Sequence, residues 1–276
     1  MAAQKTVTAS HRLTVVPAPK LAYPELFLSV YLTGNKWEKK QFAEMFVQAG
    51  CNQANGVDEA DLVVFAGGPD VSPILYGEKE HETTRCSVVR DIEDIELYYE
   101  CLKKGIPMFG VCRGAQFLHV MNNGKLWQDV DKHMGDHNML CLDTGFTIMT
   151  SSVHHQQVMF NRDYRMERIA NTYISNEKWA GPGDCTQGKT EDIEAFFYRS
   201  TMCLGTQGHP EYRGYEDYTR WCLNKIDEYI LRDSDVHVVD NLVRLDPDVV
   251  AQRDMLWQQN GISFPTADLI KDKVLN

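Results

Sequence analysis

Short apolar runs alternate with helical patterns through the first half of the chain. Residues 26–32 (LFLSVYL) are an apolar run of strand length, and residues 36–49 place Trp37, Phe42, Met45, Phe46 and Ala49 at helical spacing. Residues 62–66 (LVVFA) read as a strand buried on both faces that ends in Gly67-Gly68-Pro69. Residues 90–104 carry Ile92, Ile95, Tyr98, Tyr99 and Leu102 on one face, with Gly105 in the position of a helix stop. Residues 106–111 (IPMFGV) are a third strand, leading through Cys112 into a helical run over residues 114–121. This rhythm predicts an α/β fold: a three-layer sandwich around a mostly parallel open sheet.

The second half is less regular. Residues 146–150, 193–198 and 202–206 read as strands, and residues 212–231 as a long helix with Tyr215, Tyr218, Cys222, Ile226 and Tyr229 in line. Another helical stretch covers residues 247–259. Three prolines (Pro17, Pro19, Pro24) and no periodicity mark residues 1–25 as an extended arm. With no internal repeat and no flexible linker, the chain parses as that arm, one domain over 26–232, and a C-terminal extension over 233–276.

Composition narrows the partners. The 276 residues carry 28 Lys and Arg against 39 Asp and Glu, a net charge of -11, with no basic run. Such a chain is poorly suited to gripping nucleic acid or an anionic membrane. No apolar stretch approaches the roughly 20 residues that span a bilayer, and the N-terminus lacks the apolar core of a secretory signal. The eight cysteines include no C-x-x-C pair, so the reading is a reduced, cytoplasmic protein whose cysteines are mostly small buried residues.

Three local patterns carry chemistry. Gly110-Val111-Cys112-Arg113-Gly114 is a G-x-C-x-G at a strand-to-helix junction, where a nucleophile is held on a sharp turn and the helix dipole favours a thiolate. Gly205-Thr206-Gln207-Gly208-His209-Pro210-Glu211 follows a strand. Pro210 keeps His209 extended, so His209 and Glu211 point to one side and the carboxylate can orient the imidazole that serves as base to Cys112. Gly67-Gly68-Pro69 ends another strand, where the N–H of Gly68, with that of Arg113, could meet a developing oxyanion. Taken singly, these are equally a buried cysteine, a histidine at a helix entry and a plain turn.

Together they resemble the class I glutamine amidotransferase superfamily, and within it the γ-glutamyl hydrolase branch, peptidase family C26. The matching stretches are FAGGPDVSPILYGE (65–78), RDIEDIEL (90–97), IPMFGVCRGAQFLHV (106–120), GKLWQDV (124–130), SSVHHQQ (151–157), IEAF (193–196) and GTQGHPEY (205–212). The resemblance implies a flavodoxin-like catalytic domain with Cys112 as nucleophile, His209 as base, Glu211 as orienting acid and the main chain of Gly68 and Arg113 as oxyanion donors. It implies that Gln116 and the segment holding Ser152, His154 and His155 line the glutamyl pocket. The implied reaction cleaves the γ-glutamyl amide of glutamine or a γ-glutamyl amine through a thioester, with no metal or organic cofactor. Alternatives are a glutaminase subunit feeding ammonia to a separate synthetase or ligase, and a non-catalytic module of the same fold; a homodimer is compatible with each.

Relatives usually have an aromatic residue where Gly208 stands and Asn where Ser151 stands, which predicts a wider or shifted pocket. Residues 171–190, with Trp179, replace a short turn and are expected to form a lid or docking loop. Within them, residues 183–190 fit the phosphate-loop pattern G-x-x-x-x-G-K-[ST], but Trp179-Ala180-Gly181-Pro182 is not read as the strand, nor the acidic residues after Thr190 as the helix, that this pattern needs. His133, His137 and Cys141 have metal-ligand spacing on a helix, which Gly135 and Asp136 disfavour, so no metal ligands are assigned. Adjacent His154 and His155 would face opposite ways on a strand. Glu93, Asp94 and Glu96 read as a solvated helix face.

Overall fold

The computed structural model describes residues 16–161 and 165–232. The three apolar runs of the first half become β1 (Ser29–Leu32), β3 (Leu62–Phe65) and β4 (Met108–Val111), joined by a short polar β2 (Asn52–Gln53) that the pattern does not show, and the helical patterns become α1 (Lys36–Val47), α2 (Val88–Lys104) and α3 (Arg113–Met121). Asn35 caps α1 in a capping box with Glu38, Ser87 caps α2, and Gly105 ends α2 in the left-handed conformation that the sequence predicts. The second half is richer in strands than its pattern shows. It contributes β5 (Leu126–Trp127), β6 (Asp129–Val130), β7 (His137–Cys141), β8 (Thr147–Thr150), β9 (Gln157–Val158), β10 (Glu167–Thr172), β11 (Glu177–Gly181), β12 (Asp184–Gln187), β13 (Asp192–Tyr198) and β14 (Cys203–Thr206). Helix α4 (Glu216–Ile226) follows, continued by a π-helical turn over Asp227–Leu231. The helical stretch at residues 247–259 lies outside the described residues.

Nine strands form the central sheet in the order β2-β1-β3-β4-β14-β13-β10-β7-β8. The first five run parallel, and β13, β10, β7 and β8 extend the sheet antiparallel. Alternate side chains of the parallel strands feed two cores. Leu62, Val64, Phe109 and Val111 pack with Phe42, Met45 and Phe46 of α1 and with Tyr218, Trp221 and Cys222 of α4. Val63, Phe65 and Met108 pack with Ile95 and Tyr98 of α2 and with Phe117 and Leu118 of α3 on the other face. The α/β sandwich is therefore present, with α1 and α4 on one side and α2 and α3 on the other. Cys51, Cys101, Cys141, Cys203 and Cys222 are buried free thiols in these layers.

Residues 16–18 run beside the outer strand: the Val16 carbonyl accepts from Thr147 N–H at 2.7 Å, and Ala18 N–H donates to the Thr147 carbonyl. Residues 171–190 are not an open loop. β11 and β12 make a hairpin that pairs with β6, anchored by Lys178, whose fully buried ammonium lies 2.6 Å from Asp192 of β13. Trp179 to Gly181 are thus part of a strand after all, but a second strand and no helix follows, so the phosphate-loop pattern has no helix N-terminus to work with.

Two glycines set how closely α3 approaches the sheet. A Cβ on Gly114 would lie 1.9 Å from the carbonyl oxygen of Phe65, and one on Gly110 would lie 2.6 Å from main-chain atoms of Gly114 and Ala115. Gly114→Ala should therefore push α3 off β3, costing at least the upper part of the about 1–3 kcal/mol typical of overpacking. Chemical denaturation would register this as a lower midpoint with an unchanged slope.

Candidate active site

Cys112 and His209 come from neighbouring parallel strands. Val111 of β4 pairs with Thr206 of β14, and Cys112 N–H donates to the Thr206 carbonyl at 2.8 Å, so both residues leave the carboxyl edge of the sheet side by side. Cys112 occupies a strained conformation for a non-glycine residue, φ 52° and ψ -113°, as the cap of α3. Its side chain lies close enough to His209 to raise the pKa of that imidazole. Nδ1 of His209 lies 2.7 Å from Oε1 of Glu211, which leaves Nε2 for the thiol. The Gly67 turn closes on both: a Cβ there would sit 3.0 Å from Cε1 of His209 and 3.9 Å from Cβ of Cys112. The structure thus brings together Cys112, His209, Glu211 and the Gly67-Gly68 turn.

His209 is held from three further directions. Its N–H donates to Ser151 Oγ at 2.8 Å, and that hydroxyl lies 3.3 Å from the His209 carbonyl, to which it donates. Its ring stacks on Tyr212 at 4.4 Å between centroids and 8° between planes. Burial disfavours the imidazolium, but the bonds to Cys112 and Glu211 outweigh it and raise the His209 pKa to about 10. Ser151 therefore supports the histidine from below and does not widen a pocket. Gly208 has a steric reason of its own, since a Cβ there would lie 1.9 Å from Thr150 Oγ1 and 2.9 Å from the Tyr218 hydroxyl. An aromatic side chain cannot be accommodated at this position.

The two main-chain groups expected to bind an oxyanion lie on either side of Cys112. Gly68 has φ 143°, and Arg113 opens α3, where an N–H has no partner within the helix. The Arg113 side chain turns inward, is 1% exposed, and pairs with Asp91 at 2.5 Å and with Asp94. Its Nε donates to the Pro69 carbonyl at 3.2 Å, and its guanidinium lies 5.2 Å from the Phe117 ring centre. Ser72 donates to Asp91 through both its N–H and its hydroxyl, and Arg90 donates to Asp94 at 2.9 Å. Glu93 is exposed, as is Glu96. Asp94 is not, because it turns inward to neutralise Arg113, and the solvated-face reading fails there. The signal was present in the spacing: Asp91 and Asp94 fall in line with Ile95, Tyr98 and Cys101.

The expected pocket residues divide. Gln116 donates to the Gln156 carbonyl at 2.9 Å, Ser152 to the His133 carbonyl at 2.6 Å, and Nδ1 of His154 lies 2.9 Å from the Gln156 carbonyl. All three are buried and directed to protein partners. Burial, aided by nearby His133, lowers the His154 pKa to about 3. His155 is partly exposed and bridges Asp70 at 3.1 Å and Asp129 at 3.0 Å; the Asp70 bond, then Asp129, holds its imidazolium above the usual range. His133 and His137 meet Glu194 of β13, while Cys141 lies in the α4-side core.

Two outcomes follow from these pairings. The stability that the His209 imidazolium contributes should be complete below the ordinary value near 6.5 and lost as pH rises through about 10. Glu211→Gln removes one group that raises it, so thermal melts should show the variant's largest deficit relative to the parent at and just below pH 6.5, with the gap closing towards pH 10. Arg113→Met would leave Asp91 and Asp94 buried without their cation, and denaturant titration should show a loss of about 3–5 kcal/mol.

The Peptidase C26 family matches residues 47–179. Protein NtpR of Enterococcus hirae is 41% identical over 75 residues, 27% of this chain and 31% of NtpR. The putative glutamine amidotransferase-like protein YvdE of Lactococcus lactis is 28% identical over 164 residues, 58% of this chain and 70% of YvdE. A glutamine amidotransferase structure from Thermotoga maritima aligns with 90% of this chain and 98% of its own at 16% identity, with a TM-score of 0.48. The match to NtpR, the first of these relatives, therefore spans less than a third of that protein's length. The family match over residues 47–179 and the relatives described as glutamine amidotransferase-like make this chain similar to the class I glutamine amidotransferase-like superfamily.

Proposed function

We propose that this protein is a cysteine hydrolase that cleaves the γ-glutamyl amide bond of glutamine or of a γ-glutamyl amine. The reading rests on one observation: Cys112, on its strained turn, shares the Gly67 turn with a histidine that is itself bonded to a buried glutamate. At neutral pH the proton resides on His209, whose pKa is raised to about 10. The Cys112 sulfur attacks the γ-carbonyl carbon, and the carbonyl electron pair moves to oxygen, towards the N–H groups of Gly68 and Arg113. Collapse breaks the C–N bond, and the departing amine takes the proton from His209 Nε2. Neutral His209 then accepts a proton from water as its oxygen adds to the thioester. A second collapse expels the sulfur, leaving glutamate and the enzyme in its starting state. Glu211 keeps the imidazole oriented and favours its charged form throughout.

Gln116, Ser152 and His154 act in this scheme by shaping the pocket wall, because the Gln116 amide N–H, the Ser152 hydroxyl and Nδ1 of His154 are committed to main-chain partners. The relatives carrying the description glutamine amidotransferase favour a second reading with the same chemistry, a glutaminase subunit passing ammonia to a separate synthetase.

Cys112→Ala should lower the release of ammonia or amine from glutamine and γ-glutamyl amines by at least about 10³-fold. Retained turnover would defeat the assignment. Glutaminase activity that increases when a synthetase is added would select the second reading.

A further inference from the structure

A second group of chemically capable side chains lies under the antiparallel half of the sheet. His133 precedes β7, His137 opens it, and Glu194 belongs to β13; one ligand atom from each falls within 4.8 Å of the others. His137 Nε2 lies 3.0 Å from Glu194 Oε1, and His133 Nδ1 lies 3.8 Å from the same oxygen. Those separations bracket the about 3.3 Å edge of a tetrahedron with zinc-to-nitrogen and zinc-to-oxygen bonds near 2.0–2.1 Å. His133 and Glu194 are essentially unexposed. Both ring nitrogens of His133 and the second oxygen of Glu194 are buried with no hydrogen-bond partner among the described residues. Leaving such atoms unpaired costs about 1–3 kcal/mol each.

The outer atoms of both histidines are arranged as they are around a metal. His133 Nε2, the nitrogen away from Glu194, faces Asp192 Oδ2 at 3.7 Å, and His137 Nδ1 faces the Gly135 carbonyl at 3.4 Å. An acceptor thus lies on the outer side of each ring, within hydrogen-bond reach of His137 and just beyond it for His133. His154 stacks on His133 with ring centres 4.7 Å apart and closes that side. Cys141, the ligand that spacing offers, is excluded because four residues along β7 span about 13 Å.

We propose that His133, His137 and Glu194 bind a divalent transition-metal ion of the zinc class, with Glu194 using both oxygens. Two imidazoles and one carboxylate favour such an ion over calcium or magnesium, which prefer all-oxygen sites. Its burial makes the role structural. The ion joins β7, β13 and the loop before β7 at points that support the candidate base: the Glu194 carbonyl accepts from Gln207 N–H at 2.8 Å, two residues before His209. The His133 carbonyl accepts from Ser152, next to the Ser151 that holds His209.

The test uses the full chain carrying Cys112→Ser, which removes the candidate site's thiol as a competing metal ligand. Protein grown with added zinc, or with cobalt(II) in its place, is dialysed and its metal content measured. About one equivalent per chain is expected, with the cobalt form showing the intense visible d–d bands of a four-coordinate site. Both signals should vanish in His137→Gln and in Glu194→Gln. Substoichiometric metal in the parent, or one equivalent retained in both variants, would overturn the proposal; the parent measurement decides alone if either variant fails to fold.

Discussion

The candidate site depends on a charge that has been taken out of water. Arg113 could reach solvent, but its guanidinium is drawn between α2 and the turn after β3, where Asp91 and Asp94 neutralise it and the Pro69 carbonyl accepts one of its protons. Desolvating three charges is costly, and the arrangement persists because each has several partners and none is left unpaired. Its geometric effect is specific. The side chain of Arg113 ties down the turn that presents Gly68, while the main chain of the same residue forms the other wall around Cys112. One residue thereby fixes the spacing of two main-chain segments that follow different strands.

A second buried polar region supports the site from the opposite direction. Lys178 and Asp192 secure the hairpin of β11 and β12 to β13, and the neighbouring strand β14 delivers His209. Around that histidine the constraints differ in kind: Ser151 holds its main chain, Glu211 holds one ring nitrogen, and Tyr212 holds the plane of the ring. Orientation, protonation and position are thus controlled by separate residues. The histidine and the thiol both leave parallel strands, β14 and β4, and the antiparallel half of the sheet braces β14 through β13.

Which of these features could be read from the sequence follows from where their partners lie. β3, β4 and β14 sit in the middle of the sheet, so burial on both faces writes them as apolar runs. β11 and β12 (EKWAG and DCTQ) have no such signature, because a hairpin paired to β6 and anchored by one buried ion pair is determined by contacts distant in sequence. The Cys112 and His209 segments are legible because a sharp turn and a His-Pro-Glu step are local constraints. Asp94 is misread as solvated when its neighbours alone are considered, since Arg113 lies 19 positions away. Gly208 illustrates the same limit: a missing side chain looks like extra room until Thr150 and Tyr218 are seen to fill it.

The register of β4 against β14 has a consequence for how the site can fail. Cys112 and His209 are one and three residues beyond the paired positions Val111 and Thr206, so their separation is set by the main-chain ladder of two central strands. Side-chain hydrogen bonds refine that separation but do not create it. Fraying of an edge strand or movement of the β11 and β12 hairpin leaves it intact, whereas parting β4 from β14 dismantles both hydrophobic layers at once. Local fluctuations can therefore alter access to the thiol without altering its alignment with the imidazole, and loss of alignment belongs to the same cooperative event as loss of the fold.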